Sequence, residues 1–167
     1  MDNFLTPDQL PQLVDWVTDQ RGRGRSINFT NGSFDLLHPG HLPVLRAGAD
    51  WDGRSCGARL VVALDSDRRV AFYKGHGRPI LSVEERAEML LATRFVDLVV
   101  SFDSKSDLTK IILCVQPDRL VRGMEGSLKP QRKPHGWTLA KQLLWVETPE
   151  LHTSGVIQRV LAAENPG

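Results

Sequence analysis

Short apolar runs alternate along this chain with stretches whose apolar residues recur at helical spacing, and this alternation restricts the fold more than any other feature. Residues 60–64 are apolar at every position, so a strand there would be buried on both faces. Such strands are typical of parallel sheets that helices cover from both sides through right-handed crossovers. The chain is therefore predicted to be an α/β protein with a parallel sheet, whose strands are residues 27–30, 60–64, 98–100, 120–121 and 143–146.

Helix signals fall before, between and after these runs. Thr6 is predicted to cap a first helix, which ends at the basic, glycine-containing segment 21–25. Ser82 and Glu85 have the spacing of a capping box, which is typical of a helix start. The predicted helices are residues 7–20, 41–49, 82–95, 108–115 and 154–163.

The composition excludes several classes of protein. A chain of 167 residues, 41% hydrophobic and 25% charged, fits one soluble domain. The net charge of +1 gives no reason to expect nucleic acid or acidic lipid as a partner. Two cysteines, Cys56 and Cys114, suit a reducing compartment. Because the sequence contains neither a signal peptide nor a run of about 18 apolar residues, we expect a cytoplasmic protein without membrane contact.

Ligands of open α/β sheets bind outside the carboxyl ends of the strands, so the segment after the first predicted strand is a candidate site. There, Gly32 would allow a tight turn, and Gly40 would let the chain pass close to a ligand at a helix start that favours anions. His38 and His41 could both donate to one phosphate. Such donors stabilise a pentacoordinate phosphorus, whose oxygens gain charge, more than they stabilise the ground state.

Other interpretations of this segment are open. A zinc site would need at least two ligands besides His38 and His41, and no neighbouring Cys or His pair supplies them. The two histidines could also be structural residues that cap the helix. A dinucleotide-binding turn and a Walker A loop are disfavoured, because the chain lacks both Gly-x-Gly-x-x-Gly and the Gly-Lys-Ser/Thr ending.

Residues 32–41, Gly-Ser-Phe-Asp-Leu-Leu-His-Pro-Gly-His, resemble the Gly-x-Phe-Asp-x-x-His-x-Gly-His signature of the cytidylyltransferase-like nucleotidyltransferases. Further segments resemble one branch of that family, the adenylyltransferase domain of ADP-heptose synthases. These segments are residues 61–67, 74–75, 77–80, 85–86, 97–102, 117–121 and 153–154. The likeness covers about residues 25–163, nearly the whole chain.

The resemblance implies a Rossmann-like three-layer α/β/α sandwich of the HxGH nucleotidyltransferase type over residues 25–167, after an N-terminal helix and basic linker over residues 1–24. It implies that the phosphate of an acceptor attacks the α-phosphate of a nucleoside triphosphate, with Mg²⁺ bridging the triphosphate and pyrophosphate leaving. ATP is the expected nucleotide, and a sugar phosphate such as heptose 1-phosphate is the expected acceptor. Members of the family are commonly dimers, so a homodimer is expected.

By motif position, the resemblance assigns catalytic roles to His38, His41 and Lys74, although Lys74 could instead be an ordinary surface lysine. Asp35 is expected to order the turn rather than act as a base. For Arg78, a phosphate contact and a salt bridge with a carboxylate such as that of Glu85 are equally open. No residue is assigned to a metal. The residues expected to bind the nucleotide are Asn31, Gly32, Ser33, Phe34, Gly40, Arg78, Arg122, Gly123, Thr153 and Ser154.

The chain departs from the heptose branch where base and acceptor would bind. Residues 122–126, Arg-Gly-Met-Glu-Gly, replace Lys-Gly-Gly-Asp-Tyr, and Gly155 replaces a threonine of the closing Ser-Thr-Thr. The alternative function is therefore a CTP-dependent cytidylyltransferase for glycerol 3-phosphate or a similar small polyol or amino-alcohol phosphate, although the arginine of that group's closing motif is missing here. A non-catalytic nucleotide-binding module and a nucleic-acid-binding protein are two further classes. Residues 126–136 are expected to form a mobile loop, and its basic part, residues 129–135, has no counterpart in the family.

Overall fold

A computed structural model describes residues 3–54, 56–125 and 132–164. Within them, the strands are β1 (Phe4–Leu5), β2 (Ser26–Gly32), β3 (Ala58–Asp65), β4 (Leu98–Phe102), β5 (Arg119–Glu125) and β6 (Gln142–Thr148). These six parallel strands form one sheet in the order β1-β4-β3-β2-β5-β6. The chain thus starts at one edge, places β2 in the interior, and continues on the other side of β2 after β4.

Helices pack on both faces of this sheet, because its inner strands are apolar on both sides. The helices are α1 (Leu10–Gly22), α2 (Leu42–Gly48), α3 (Asp67–Lys74), α4 (Val83–Leu91), α5 (Lys105–Val115) and α6 (Thr153–Glu164). Along β3, Val61 and Ala63 belong to one apolar cluster, which also holds residues of α1 and α5. Leu60, Val62 and Leu64 belong to a second cluster, with residues of α2 and α4. This arrangement confirms the predicted three-layer α/β/α sandwich.

Three predicted helix bounds are wrong by three or four residues, and in each case local contacts explain the difference. The helix predicted over 108–115 starts earlier, at Lys105, after a capping box formed by Ser104 and Asp107. The cap of α1 is Gln9 rather than Thr6, whose hydroxyl bonds the side chains of Asp8 and Gln9 in a turn before the helix. The predicted helix 82–95 starts with its capping box as expected but ends at Leu91. Phe95 then enters the second apolar cluster from the turn that follows. Strand β1 and helix α3 were not predicted at all.

The strand order reverses beside β2, and a cleft opens there. Strands β2 and β5 pair only near their starts, at Asn28–Arg119 and Phe29–Leu120. Their carboxyl halves therefore separate. Arg122, which lies inside β5 rather than after it, donates from Nη1 across the gap to the backbone carbonyl and the side-chain oxygen of Asn31, at 2.5 and 2.9 Å.

Two further sequence expectations concern the periphery of the chain. In the described ranges, no helix combines the length and apolar character needed to cross a membrane. The segment 126–136, expected to be a mobile loop, falls partly outside the described residues, since residues 126–131 are not among them.

Candidate active site

The cleft at the carboxyl ends of β2 and β5 has a volume of about 690 Å³. Every residue to which the sequence assigned a catalytic or nucleotide-binding role lines this one cleft, although the residues come from six separate segments of the chain. They are His38, His41, Lys74, Asn31, Gly32, Ser33, Phe34, Gly40, Arg78, Arg122, Gly123, Thr153 and Ser154.

The side chains of His38 and His41 each cap a backbone N–H group at the entrance to α2. A single 3₁₀ turn, Pro39–His41, leads into this helix. The backbone N–H of Gly40 donates to Nδ1 of His38 at 3.2 Å, and the backbone N–H of His38 donates to Nδ1 of His41 at 3.3 Å. The rings stack with centroids 3.8 Å apart. Because each Nδ1 accepts a hydrogen bond, each neutral ring carries its proton on Nε2, where it can donate to a ligand.

The surroundings of both rings favour the neutral imidazole. Burial, followed by the positive charges of His38 and Lys74, lowers the pKa of His41 to about 4. The pKa of His38 is also lowered, first by burial and then by the charges of His152, Lys74 and Arg159. His41 is therefore an uncharged hydrogen-bond donor at neutral pH while no anion is bound.

Two glycines are closely packed in the segment that carries these histidines: Gly32 precedes His38, and Gly40 lies between His38 and His41. Gly32 ends β2, and the left-handed backbone of the turn that follows lies at Phe34, with φ of 42°. A Cβ atom at Gly32 would stand 3.2 Å from the Phe34 ring. A Cβ atom at Gly40 would lie 2.9 Å from the His38 ring and 3.0 Å from the carbonyl oxygen of Leu151. Both glycines thus make room for neighbouring protein groups.

Cationic side chains surround the rim of the cleft. The Lys74 ammonium donates to the Ser33 hydroxyl at 2.7 Å, and partial burial followed by the charge of Arg78 lowers the pKa of Lys74. Arg78 forms an ion pair with Asp35, which is fully buried and also accepts the backbone N–H of Ile80 at 2.7 Å. Asp35 therefore orders the turn, as expected.

Several cleft residues were missed from the sequence. Thr148, Pro149 and Leu151 line the wall beside α6, and His152 stands immediately before that helix. All four follow or end β6, so the rule that ligands bind at carboxyl strand ends would have found them if it had been applied to the last strand. In the first turn of α6, Thr153 is buried and Ser154 is exposed.

Comparison with known proteins gives the family. The model described as "Cytidylyltransferase-like" matches residues 29–151, more than half of the chain. Two curated relatives are each called "Bifunctional protein HldE". The one from Nitrobacter hamburgensis is 48% identical over 124 residues, covering 74% of this chain and 23% of the relative. The one from Wolinella succinogenes is 39% identical over 161 residues, covering 95% of this chain and 31% of the relative.

The chain therefore spans only about a quarter to a third of the length of these two relatives. Among solved structures, a lipopolysaccharide core biosynthesis protein from Thermoplasma volcanium is similar in fold, with a TM-score of 0.57 and 21% identity. That similarity covers 74% of this chain and 97% of the other. With the family model and the histidine motif in agreement, the chain belongs to the cytidylyltransferase-like family of nucleotidyltransferases.

Proposed function

We propose that this chain transfers the adenylyl group of ATP to a sugar phosphate such as heptose 1-phosphate and releases pyrophosphate. The observation that carries the proposal is the stacked pair His38 and His41, in which each Nδ1 accepts a backbone N–H and each Nε2–H is left to donate beside Lys74 in one cleft. The choice of ATP and of a sugar phosphate is supported by the resemblance to ADP-heptose synthases and by the HldE relatives.

In the proposed reaction, an oxygen of the acceptor phosphate attacks the α-phosphorus of the nucleotide. The bond from the α-phosphorus to the α,β-bridging oxygen breaks, and pyrophosphate leaves with that oxygen and its electron pair. As the α-phosphorus becomes pentacoordinate, its oxygens gain charge, and the Nε2–H donors of His38 and His41 stabilise them. No covalent intermediate with the protein is required, so the chain contributes positioning and electrostatic stabilisation.

The cationic and helical parts of the cleft suit the rest of the triphosphate. Lys74 would bind the β- and γ-phosphates while it keeps its hydrogen bond to the Ser33 hydroxyl, because an ammonium has three donors, and its lowered pKa would rise again beside the anion. Arg78 and Arg122 add positive charge to the same cleft. Thr153 and Ser154 would donate at the N-terminus of α6, where backbone amides and the helix dipole favour anions.

The proposed reaction uses Mg²⁺, but the cleft does not fit a metal site built by the protein. The described ranges of the chain contain no cluster of three or more His, Cys, Asp or Glu side chains that could hold a metal ion. Asp35, the buried carboxylate near the cleft, is already paired with Arg78. We therefore propose that Mg²⁺ arrives bound to phosphate oxygens of the nucleotide.

The proposal also covers the assembly and the location of the chain. A homodimer is supported by the resemblance, because members of the family are commonly dimers. A cytoplasmic location is supported by the two cysteines, neither of which forms a disulfide. The partners of the chain would then be a nucleoside triphosphate and a phosphorylated small molecule, without nucleic acid or membrane. Residues 25–167 would form the nucleotidyltransferase domain, with residues 1–24 as an N-terminal helix and linker.

Pyrophosphate release from ATP and heptose 1-phosphate, compared between wild type and His41→Ala, tests this proposal. Removing one transition-state donor should lower kcat by about 100-fold or more. His135→Ala is the matched control, because His135 bonds Thr109 on α5 and lies outside the cleft. Equal turnover in wild type and His41→Ala would refute the assigned role.

Thermal melting with each nucleotide separates the two substrate hypotheses. A nucleotide at about 100 times its Kd stabilises the native state by roughly 2.7 kcal/mol, which raises the melting temperature measurably. Stabilisation by ATP alone supports the adenylyl proposal. Stabilisation by CTP alone, with turnover of glycerol 3-phosphate, would replace it with the cytidylyl alternative.

A further inference from the structure

Arg86, on α4, is one of the largest fully buried side chains, with 1% of its surface exposed. A buried guanidinium is costly unless its donors are satisfied. Here Nη1 donates to the carbonyl oxygen of Ser33 at 2.6 Å, Nη2 to Asp67 at 2.6 Å, and Nε to the carbonyl oxygen of Leu81 at 3.0 Å. The side chain thus ties together three segments, and two of them, at Ser33 and Asp67, are distant from Arg86 in sequence.

Each of these three segments carries a residue of the candidate active site. Ser33 precedes the turn that leads to His38 and His41. Asp67 lies in the first turn of α3, and that helix ends at Lys74. Leu81 closes the segment that contains Arg78. Arg86 itself is not among the residues that line the cleft, so it stands behind the phosphate site rather than in it.

Ser33 is held from two sides. Its carbonyl oxygen accepts from Arg86, and its hydroxyl accepts from the ammonium of Lys74 at 2.7 Å. The next residue, Phe34, has a left-handed φ of 42°, which is unfavourable for a bulky side chain and persists only where the surroundings hold it. The bond from Arg86 lies directly before this strained residue.

We propose that Arg86 is a positioning residue for the triphosphate site, which acts through Ser33 to hold the ammonium of Lys74 and the strained turn at Phe34. The inference rests on the proposed function and adds to it a residue that never touches the substrate. Lysine cannot replace Arg86 in this role, because its single ammonium cannot reach three separate acceptors in the fork geometry of a guanidinium. Arg86→Lys therefore keeps the charge and removes the geometry.

Binding of inorganic tripolyphosphate, measured by calorimetry, isolates this role from the acceptor and the nucleobase. Arg86→Lys should weaken tripolyphosphate binding by about 10-fold, because the phosphate-binding groups lose their alignment. Arg59→Lys is the matched control: Arg59 also bonds two side chains, Gln20 and Asp97, but at the amino end of β3, away from the cleft. That variant should bind as wild type does, whatever its change in melting temperature.

A double-mutant cycle with Lys74→Met distinguishes positioning from a general loss of stability. If Arg86 acts through Lys74, Arg86→Lys should weaken binding by no more than about 2-fold once Lys74 is gone. The inference would be overturned if Arg86→Lys weakened tripolyphosphate binding equally with Lys74 present and with Lys74→Met. It would also be overturned if a folded Arg86→Lys protein bound tripolyphosphate with wild-type affinity.

If Arg86→Lys does not fold, Asp67→Asn replaces it in the same cycle, since Asp67 is half-exposed and its substitution leaves the arginine in place. We then expect Asp67→Asn to weaken tripolyphosphate binding by about 3-fold when Lys74 is present and to leave it unchanged when Lys74 is replaced by Met. Unchanged binding in Asp67→Asn would overturn the inference. A folded wild type that binds neither tripolyphosphate nor ATP would instead overturn the proposed function itself.

Discussion

Replacing His41 with asparagine tests whether this ring is held neutral in the native state. The pKa of His41 is lowered from an ordinary value of 6.5 to about 4, first by burial and then by the charges of His38 and Lys74. Between these two pH values only the unfolded chain binds the proton at this site. The free energy of unfolding should therefore fall as the pH falls from 6.5 to 4, with a slope of about 1.4 kcal/mol per pH unit.

Integrated over this interval, the decrease in the free energy of unfolding has an upper bound of about 3 kcal/mol. Solvent in the cleft screens the charges, so the expected decrease is about 2 kcal/mol. Above pH 6.5 the ring is neutral in both states, and below pH 4 it is charged in both, so the contribution is flat outside the window. In His41→Asn, the amide oxygen can still accept the backbone N–H of His38, but the side chain does not titrate.

Urea unfolding of both proteins at pH values from 7.5 to 4 measures this contribution. The difference in unfolding free energy, wild type minus His41→Asn, should decrease by about 2 kcal/mol as the pH falls. Other titrating groups contribute to both curves and cancel in the difference. Parallel curves would mean that native His41 titrates near its ordinary pKa, and the description of His41 as a neutral Nε2–H donor would then be wrong.

Three further predictions follow from contacts in the same cleft. Gly40→Ala should lower the free energy of unfolding in urea by about 1–3 kcal/mol and abolish most pyrophosphate release, because the new methyl group meets the His38 ring and the Leu151 carbonyl. Gly22→Ala, with open space around the new methyl group, should leave both the unfolding free energy and pyrophosphate release nearly unchanged. His152→Gln should raise the pKa of His38 in an NMR titration, because the charge of His152 helps to lower it; an unchanged pKa would contradict this. Asp35→Asn should destabilise the fold by about 3–5 kcal/mol in urea, because it leaves Arg78 without its counter-charge, and a loss below 1 kcal/mol would contradict this.

The features that were predicted correctly depend on neighbours close in sequence. An uninterrupted apolar run, such as residues 60–64, indicates a strand buried on both faces whatever its partners are. The capping box of Ser82 and Glu85 spans three positions, and the structure contains both of its hydrogen bonds. The spacing of His38 and His41 likewise brought both rings to one helix start.

The elements that were missed depend on partners distant in sequence or carry little local signal. Strand β1 has two residues and exists because Phe4 and Leu5 pair with Val99 and Val100. Helix α3 buries only Val70, so its sequence has almost no apolar periodicity. The cleft itself opens because β5 stops pairing with β2 after two residue pairs, which no local pattern records.

The sequence alone determined the fold class, the family and thirteen of the residues that line the cleft, because hydrophobic periodicity and motifs of the family are local properties of the chain. Only the tertiary structure decided how those residues are connected. It paired Arg78 with Asp35 rather than Glu85 and placed Arg86 behind Ser33. It also lowered the pKa of His41 by burying the ring close to His38 and Lys74, so that His41 is neutral. Ion pairs, desolvation and hydrogen bonds between distant segments depend on the packing of the whole domain, and a reading of local patterns does not contain that packing.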